Sequence, residues 1–424
     1  MNTVRVSFVL ASCLVVSLCA GAAEQHVANA FSSLPAKAQA SISAAMGRDS
    51  WVQLAELTES DGEQGDQFGG SIAISGDTVV VGAIKRYSSG VGAVYVFVKP
   101  KSGWRNMRQV AELTASESGT SDWLGYSVSI DGDTVVAGAP NASPGFPYQG
   151  EAYVWVKPKG GWRNMIETAR LTVTGGVSRI RLGTSISVSG NTVAVGAPRA
   201  KVGRHLHAGA VFVFVKPANG WRSTKQTAKL SLSGGYGLGL SVSVSGNALV
   251  TVDPGTAYVF VRPSTGWANT TIPTATLSTT DAASAFSVGI EANTIITGAI
   301  DVDQHQGAAY VYVEPQGGWT NMSQTAKLTA SDGKAGDGLG YSVSVHGRKV
   351  VAGACYKNQQ QGAAYLYIKP PSGWENTTET AELVASDGKP NQFFGLSVGV
   401  AADTVVAGAP DNTKSGAAYV FGNQ

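Results

Sequence analysis

From residue 68 onward the chain repeats one pattern of apolar and polar positions. Phe68 to Ala83 reads FGGSIAISGDTVVVGA: it alternates over Ser71 to Ser75, turns at Gly76-Asp77 and runs apolar to Ala83. Alternation with a period of two marks a half-buried strand, and a short β-branched run bounded by glycine marks a buried one, so the stretch predicts a tight hairpin. The frame recurs as LGYSVSIDGDTVVAGAP from Leu124, LGTSISVSGNTVAVGAP from Leu182, LGLSVSVSGNALVTVDP from Leu238, SAFSVGIEANTIITGAI from Ser284, LGYSVSVHGRKVVAGAC from Leu339 and FGLSVGVAADTVVAGAP from Phe394. After a loop of varying length each unit continues into a second shared string of the type GAVYVFVKP. Six of the seven then turn through PxxGW, at Trp104, Trp162, Trp221, Trp267, Trp319 and Trp374, into a short strand such as QVAELTA. Each unit therefore predicts four strands, termed a to d below, and none holds a helical period.

Seven such units either stack openly or close a ring, and the ends of the pattern favour the ring. The last unit stops after strand c, while WVQLAELT at Trp51 supplies a d-type strand ahead of the first unit. Pairing these two ends removes an exposed sheet edge. The expectation is an all-β fold: a seven-bladed β-propeller of four-stranded antiparallel blades. Its seventh blade joins an N-terminal strand of about Val52 to Leu57 with strand c at Ala417 to Phe421. The aromatics that alternate along strand c, from Tyr95 and Phe97 to Tyr365 and Tyr367, read as packing between blades. Full burial of such a side chain contributes roughly 1.5–3 kcal/mol.

These units resemble the FG-GAP repeats of the integrin α-chain head and of bacterial-type secreted proteins. The likeness is carried by Phe68-Gly69 with Gly82-Ala83 and by Phe394-Gly395 with Gly408-Ala409-Pro410, with Leu in place of Phe in most other units. It covers residues 51 to 424 and implies a seven-bladed propeller, usually extracellular, whose ligands meet a face built from the d-to-a and b-to-c loops. In calcium-binding members an acidic loop of the DxDxDG type joins strands a and b. Here those turns are SGDT, DGDT, SGNT, SGNA, EANT, HGRK and AADT, with at most two carboxylates each, as at Asp131 and Asp133. Calcium takes six to eight oxygen ligands, so these read as hairpin turns, and neither a metal nor a cofactor is expected there. The more acidic d-to-a loops, SDGEQGD with Asp61 and Asp66 and SDGKAGD with Asp332 and Asp337, read as Asp-Gly turns.

Composition narrows the partners. Charged residues make up 14% of the chain, the net charge is +2 and no run of Lys and Arg forms a stripe, so no electrostatic case for nucleic acid arises. Residues 1–22 carry one basic residue, an apolar run and small residues at Ala20 and Ala22, the pattern of a secretory signal cut before Ala23. That run is too short for a membrane span, and no later stretch reaches the roughly 18 to 20 apolar residues a span requires. The expected location is therefore secreted, extracellular or at a bacterial cell surface or periplasm. Cleavage removes Cys13 and Cys19 and leaves Cys355 alone, so no intramolecular disulfide is expected. Residues 23–50 read as a linker or a short helix from Leu34 to Gly47, and residues 51–424 as the propeller.

The a-to-b and PxxGW turns are nearly uniform, whereas the b-to-c and d-to-a loops differ in length and chemistry and share the opposite face. Candidate ligand-binding residues on that face are Tyr87, Trp123, Tyr148, Arg204, His205, His207 and His305. Exposed aromatics and Arg suit protein or glycan recognition. The link Asp253-Pro254-Gly255 in the fourth unit is the shortest and predicts a notch in the rim. Glycosylation candidates, for a eukaryotic host, are Asn141, Asn269, Asn321 and Asn376; the last three share one repeat position with Asn106 and Asn164. No GxSxG elbow, HExxH pair or phosphate-cradling loop occurs, so no catalytic residue is assigned. The expected function is a secreted, non-catalytic propeller that binds an extracellular protein or cell-surface glycan, with adhesion as one such role. A polysaccharide hydrolase or lyase and a structural envelope or matrix component are the alternatives.

Overall fold

A computed structural model describes residues 51–85, 91–174, 178–411 and 415–423. The expected signal segment, the stretch 23–50 and Tyr87 lie outside the described residues. Residues 53–422 form one compact unit, a seven-bladed propeller. In blade 1, strands a to d are Ser71–Ser75, Thr78–Ala83, Ala93–Val98 and Ala111–Thr114, paired antiparallel in sequence order. The other blades repeat that order. Blade 7 takes strands a to c from Ser397–Ala401, Thr404–Ala409 and Ala417–Asn423, and strand d from Trp51–Thr58. Strands a meet their neighbours in succession, and that of blade 7 meets that of blade 1, which closes the ring.

The alternating serines of strand a are ring-closing acceptors as well as a polar face. Ser129 Oγ accepts the Val188 N–H of the next blade at 3.1 Å, Ser187 that of Val244 at 3.1 Å, Ser243 that of Ile290 at 3.2 Å and Ser344 that of Val400 at 3.2 Å. Asp131 serves the same purpose at a turn, where it accepts the Gly190 N–H at 2.6 Å. Strand b and strand c are buried along nearly their whole length in most blades, and the large rings of strand c, among them Tyr95, Phe97, Tyr153, Trp155, Tyr310 and Tyr365, are inaccessible to solvent. Tyr258 of blade 4 is half-exposed and is the exception.

Five of the seven sheets have a fifth strand that the repeat pattern does not announce. Just after five of the six PxxGW turns two residues leave their own blade and lie parallel to strand d of the preceding one, as Met107–Arg108 does beside Leu57 and Thr58; after Trp267 only Thr270 bridges in this way, to Leu230. Side chains fix this clasp. Asn106 Oδ1 accepts the Glu56 N–H at 2.9 Å, and Asn164, Asn269, Asn321 and Asn376 accept those of Glu112, Lys229, Thr276 and Lys327 at 2.8–2.9 Å. Three positions on, Gln109, Glu167, Gln226, Gln324 and Glu379 accept the N–H groups of Ser60, Ser116, Thr174, Thr280 and Ser331. Gln53 of the N-terminal strand completes the series by accepting from Ser386 at 2.9 Å. In this series Ile272 occupies the corresponding place in the fourth unit and offers no acceptor.

The paired glycines of each unit allow the blades to touch. Gly125 adopts φ +88°, a conformation that costs an L side chain roughly 1–2 kcal/mol, and its carbonyl lies 2.0 Å from where a Cβ on Gly82 of blade 1 would sit. The Ser71 hydroxyl donates to the same carbonyl at 2.7 Å. Five further junctions repeat both features, ending with Gly408 and Ser397 against Gly69. Between blades 4 and 5 both glycines are replaced at once, by Val252 and Ala285. There Phe286 rather than residue 285 donates to the Gly298 carbonyl, and the bridge from Gly255 to Ala285 is antiparallel where the corresponding bridges are parallel.

Candidate binding face

The b-to-c and d-to-a loops meet on one face, tied by backbone hydrogen bonds. The residue two before the glycine that opens strand c recurs as Tyr148, His207, His305 and Gln360, all at φ between +53° and +67°. That conformation turns each carbonyl toward the neighbouring d-to-a loop. Tyr148 accepts from Arg181 N–H at 3.3 Å, His207 from Gly237 at 2.8 Å, His305 from Gly338 at 2.9 Å and Gln360 from Phe393 at 2.7 Å. Three of the candidates read from sequence thus share one register position, and their side chains are exposed around the rim. Arg204 and His205 lie in a tight hairpin closed by reciprocal bonds between Val202 and His205. His305 lies two blades away from that hairpin, so the imidazoles are not gathered at one point. In blade 4 strand b runs on through Asp253, so the link to strand c is the two residues Pro254-Gly255.

A run of aromatics lies where strands a begin, at the same end of the ring. Trp123 stacks on Tyr126 at 5.9 Å and 12°. Phe286, Tyr341, Tyr356 and Phe393 form a second chain, with centroids 5.1, 5.6 and 6.2 Å apart. Burial, and then the neighbouring Tyr356, raise the pKa of the Tyr341 hydroxyl. Of these residues only Trp123 was singled out from sequence. The others were legible in principle, because Tyr126, Phe286 and Tyr341 follow the Phe-Gly position of their units, but the pattern around them reads as scaffold.

A second repeated device sits beside the loops. In blade 1 the Tyr95 hydroxyl donates to Asp61 at 3.0 Å, and Lys85 pairs with the same carboxylate at 2.7 Å and stands over the Tyr95 ring. Burial alone would raise the Asp61 pKa, but Lys85 and Tyr95 outweigh it and hold the carboxyl below its usual range. Asp281, Tyr310 and Lys327 repeat the set in blade 5, and Asp332, Tyr365 and Lys357, joined by Glu382, repeat it in blade 6. Blade 2 uses Arg170 between Glu117 and Glu151, the latter bonded to Tyr153. The acidic d-to-a loops therefore divide. Asp66 and Asp337 are turn devices that accept the N–H groups of Glu63 and Lys334, whereas Asp61 and Asp332 each hold an ammonium.

Among the glycosylation candidates, Asn269, Asn321 and Asn376 are exposed with their side-chain oxygens in the blade clasp, while Asn141 is buried at 9% exposure. Cys355 is buried, and burial pushes its thiol up to about 12, which leaves no reactive thiolate at neutral pH. No group of three or more His, Cys, Asp or Glu with metal-holding geometry occurs among the described residues, and none of their helices is long and apolar enough to cross a membrane.

The FG-GAP repeat model matches residues 51–97, 107–155, 165–214, 322–367 and 377–421. The two units it passes over are those of blades 4 and 5, which flank the junction without glycines. No curated protein matches. Among solved structures, the WD40 beta propeller domain of Doa1 superposes with a TM-score of 0.54 at 10% identity, over 88% of this chain and 97% of that one. At that identity the likeness concerns the fold alone.

Proposed function

Since the chain belongs to the FG-GAP repeat family, a fold that serves as a scaffold for binding proteins, we propose that it is a secreted, non-catalytic binding propeller whose loop face takes an extracellular protein or a cell-surface glycan. The observation that carries this reading is the contrast between the two ends of the ring. One end is built from near-identical turns. The other displays unlike loops, tied to one another through their backbones, around a run of stacked aromatic side chains. Rigid aromatic anchors beside adaptable polar groups are what recognition surfaces use. Adhesion is one use of such a face.

A glycan array and a panel of extracellular proteins, probed with the chain lacking residues 1–22, test the proposal. Selective binding that is lost in Trp123→Ala or Arg204→Ala supports it. Turnover of a polymer by the same preparation, or selective binding indifferent to both substitutions, overturns it.

A further inference from the structure

Charge is divided unevenly along the chain, although the whole is nearly neutral. Residues 168–252 hold ten Lys and Arg and no Asp or Glu, while the rest of the chain holds the other 21 cations and all 29 acids. Blade 3 lies wholly inside this stretch. Its version of the tyrosine, carboxylate and lysine set has lost two members: Phe212 replaces the tyrosine, and the sequence positions that match Asp61, Asp281 and Asp332 before and after its strands are Gly175 and Gly234. The cation has stayed. Lys229 stands 5.9 Å over the Phe212 ring, as Lys85, Lys327 and Lys357 stand over their tyrosines. It donates to the Lys201 carbonyl at 3.0 Å and pairs with no carboxylate among the described residues, and burial holds its pKa below the usual lysine value.

Backbone bonds make the neighbouring cations one strip. Arg179 and Arg181 are tied to Pro147 and Tyr148, Arg199 to Ile180, and Lys201 precedes the hairpin that presents Arg204. Among the described residues none of these five side chains has an ion pair, whereas Lys85, Arg170, Lys327 and Lys357 all do. Exposed rings border the strip at Tyr148 and Tyr236.

We propose that this strip over blades 2 and 3 binds an anionic polysaccharide, with Arg179, Arg181 and Arg204 as the principal contacts to its carboxylate or sulfate groups and the rings of Tyr148 and Tyr236 laid against its sugar faces. The proposal rests on the loop face being the binding face. Guanidinium forks suit carboxylate and sulfate oxygens, and a stiff polymer with regularly spaced charges engages several of them together. Peptides are usually captured by a free sheet edge or an apolar groove. The edge of strand d is already taken here, in blade 2 by Thr224–Lys225 and in blade 3 by Thr270.

Binding to polygalacturonate, dextran sulfate and neutral dextran, measured at low and at physiological salt, tests this with the chain lacking residues 1–22. The comparison uses the triple variant Arg179→Ser, Arg181→Ser, Arg204→Ser and the double variant Lys216→Ser, Arg222→Ser, whose sites lie on the uniform-turn side. The expected result is salt-sensitive binding to the acidic polymers only, weakened at least tenfold in the triple variant and less than twofold in the double. Equal loss in both variants, no binding to either acidic polymer, or equal affinity for polyglutamate or single-stranded DNA overturns it. Binding of some other ligand that depends on Trp123 but not on the three arginines defeats this inference alone and leaves the binding-face reading standing.

Discussion

Two kinds of blade junction coexist in this ring. At the junction of blades 2 and 3, Gly138 and Gly183 bring two backbones together so closely that a Cβ on Gly138 would lie 2.0 Å from the Gly183 carbonyl oxygen, and Ser127 donates to that oxygen at 2.8 Å. At the junction of blades 4 and 5, Val252 and Ala285 fill the space with side chains, and Ser241 turns its hydroxyl to accept the Val288 N–H instead. Both arrangements close the ring. The difference teaches that the repeated glycines are a matched pair, replaceable together because the chain can re-register by a residue when neither partner requires close approach.

The largest effect is expected where one junction is made by the two ends of the pattern. Deleting residues 50–58 removes strand d of blade 7 together with its clasp to Met107–Arg108 and the Gln53 bond to Ser386. A drop of more than ten degrees in melting temperature is expected; an unchanged melt would mean that the ring does not depend on this strand. Next comes the glycine comparison. Gly138→Ala should cost about 3 kcal/mol or more in denaturant unfolding, since overpacking against backbone cannot relax by a rotamer change. Ala285→Gly should cost less than about 1 kcal/mol, the ordinary penalty of added chain entropy. Similar losses at the two sites would break the distinction.

The junction of blades 7 and 1 also stores a buried charge. Glu59 is 4% exposed, and burial followed by the nearby Asp66 pushes its carboxyl up to about 7, with Asp61 adding to the effect and Ser415 and Lys85 opposing it. Its folded pKa lies above the unfolded value of 4.5, so the native state binds the extra proton, and stability falls as pH rises from about 4.5 to 7. Glu59→Gln should raise stability at pH 8 by about 1–3 kcal/mol and change little at pH 4, read from urea midpoints at both values. A gain of equal size at pH 4 would show that the charge is not the cause. The smallest effects concern the clasp. Asn321→Ala should cost about 1 kcal/mol, and Ile272→Gln should add about 0.5 kcal/mol by giving the Ser233 N–H the acceptor its counterparts have. If Ile272→Gln destabilises, the clasp series does not extend to the fourth unit.

Much of the architecture was legible because it depends on repetition. Periodicity of two, glycine turns and the displaced strand at Trp51 are local or countable properties, and seven copies average out the deviations of any one. The clasp was half-visible. A recurrent Asn after the tryptophan reads as a turn residue, and only the packed ring shows that its side-chain oxygen reaches the blade before it. The loop face was less legible still. Tyr148, His207 and His305 stand out in the sequence by their chemistry, yet their equivalence comes from left-handed backbone angles that no residue type announces, and Tyr126, Tyr341 and Phe393 are hidden inside scaffold strings.

By itself the sequence determined the number of blades, their strand order and the way the ring closes, because each follows from hydrophobic period and from which strand is missing at each end. It also contained the 85-residue absence of acids between Glu167 and Asp253, though a whole-chain charge of +2 conceals it. Tertiary structure alone decided which cations are neutralised. Pairing Lys85 with Asp61 or leaving Lys229 without a carboxylate depends on groups distant in sequence reaching within hydrogen-bond distance. That is a property of how neighbouring blades pack, and no local pattern encodes it.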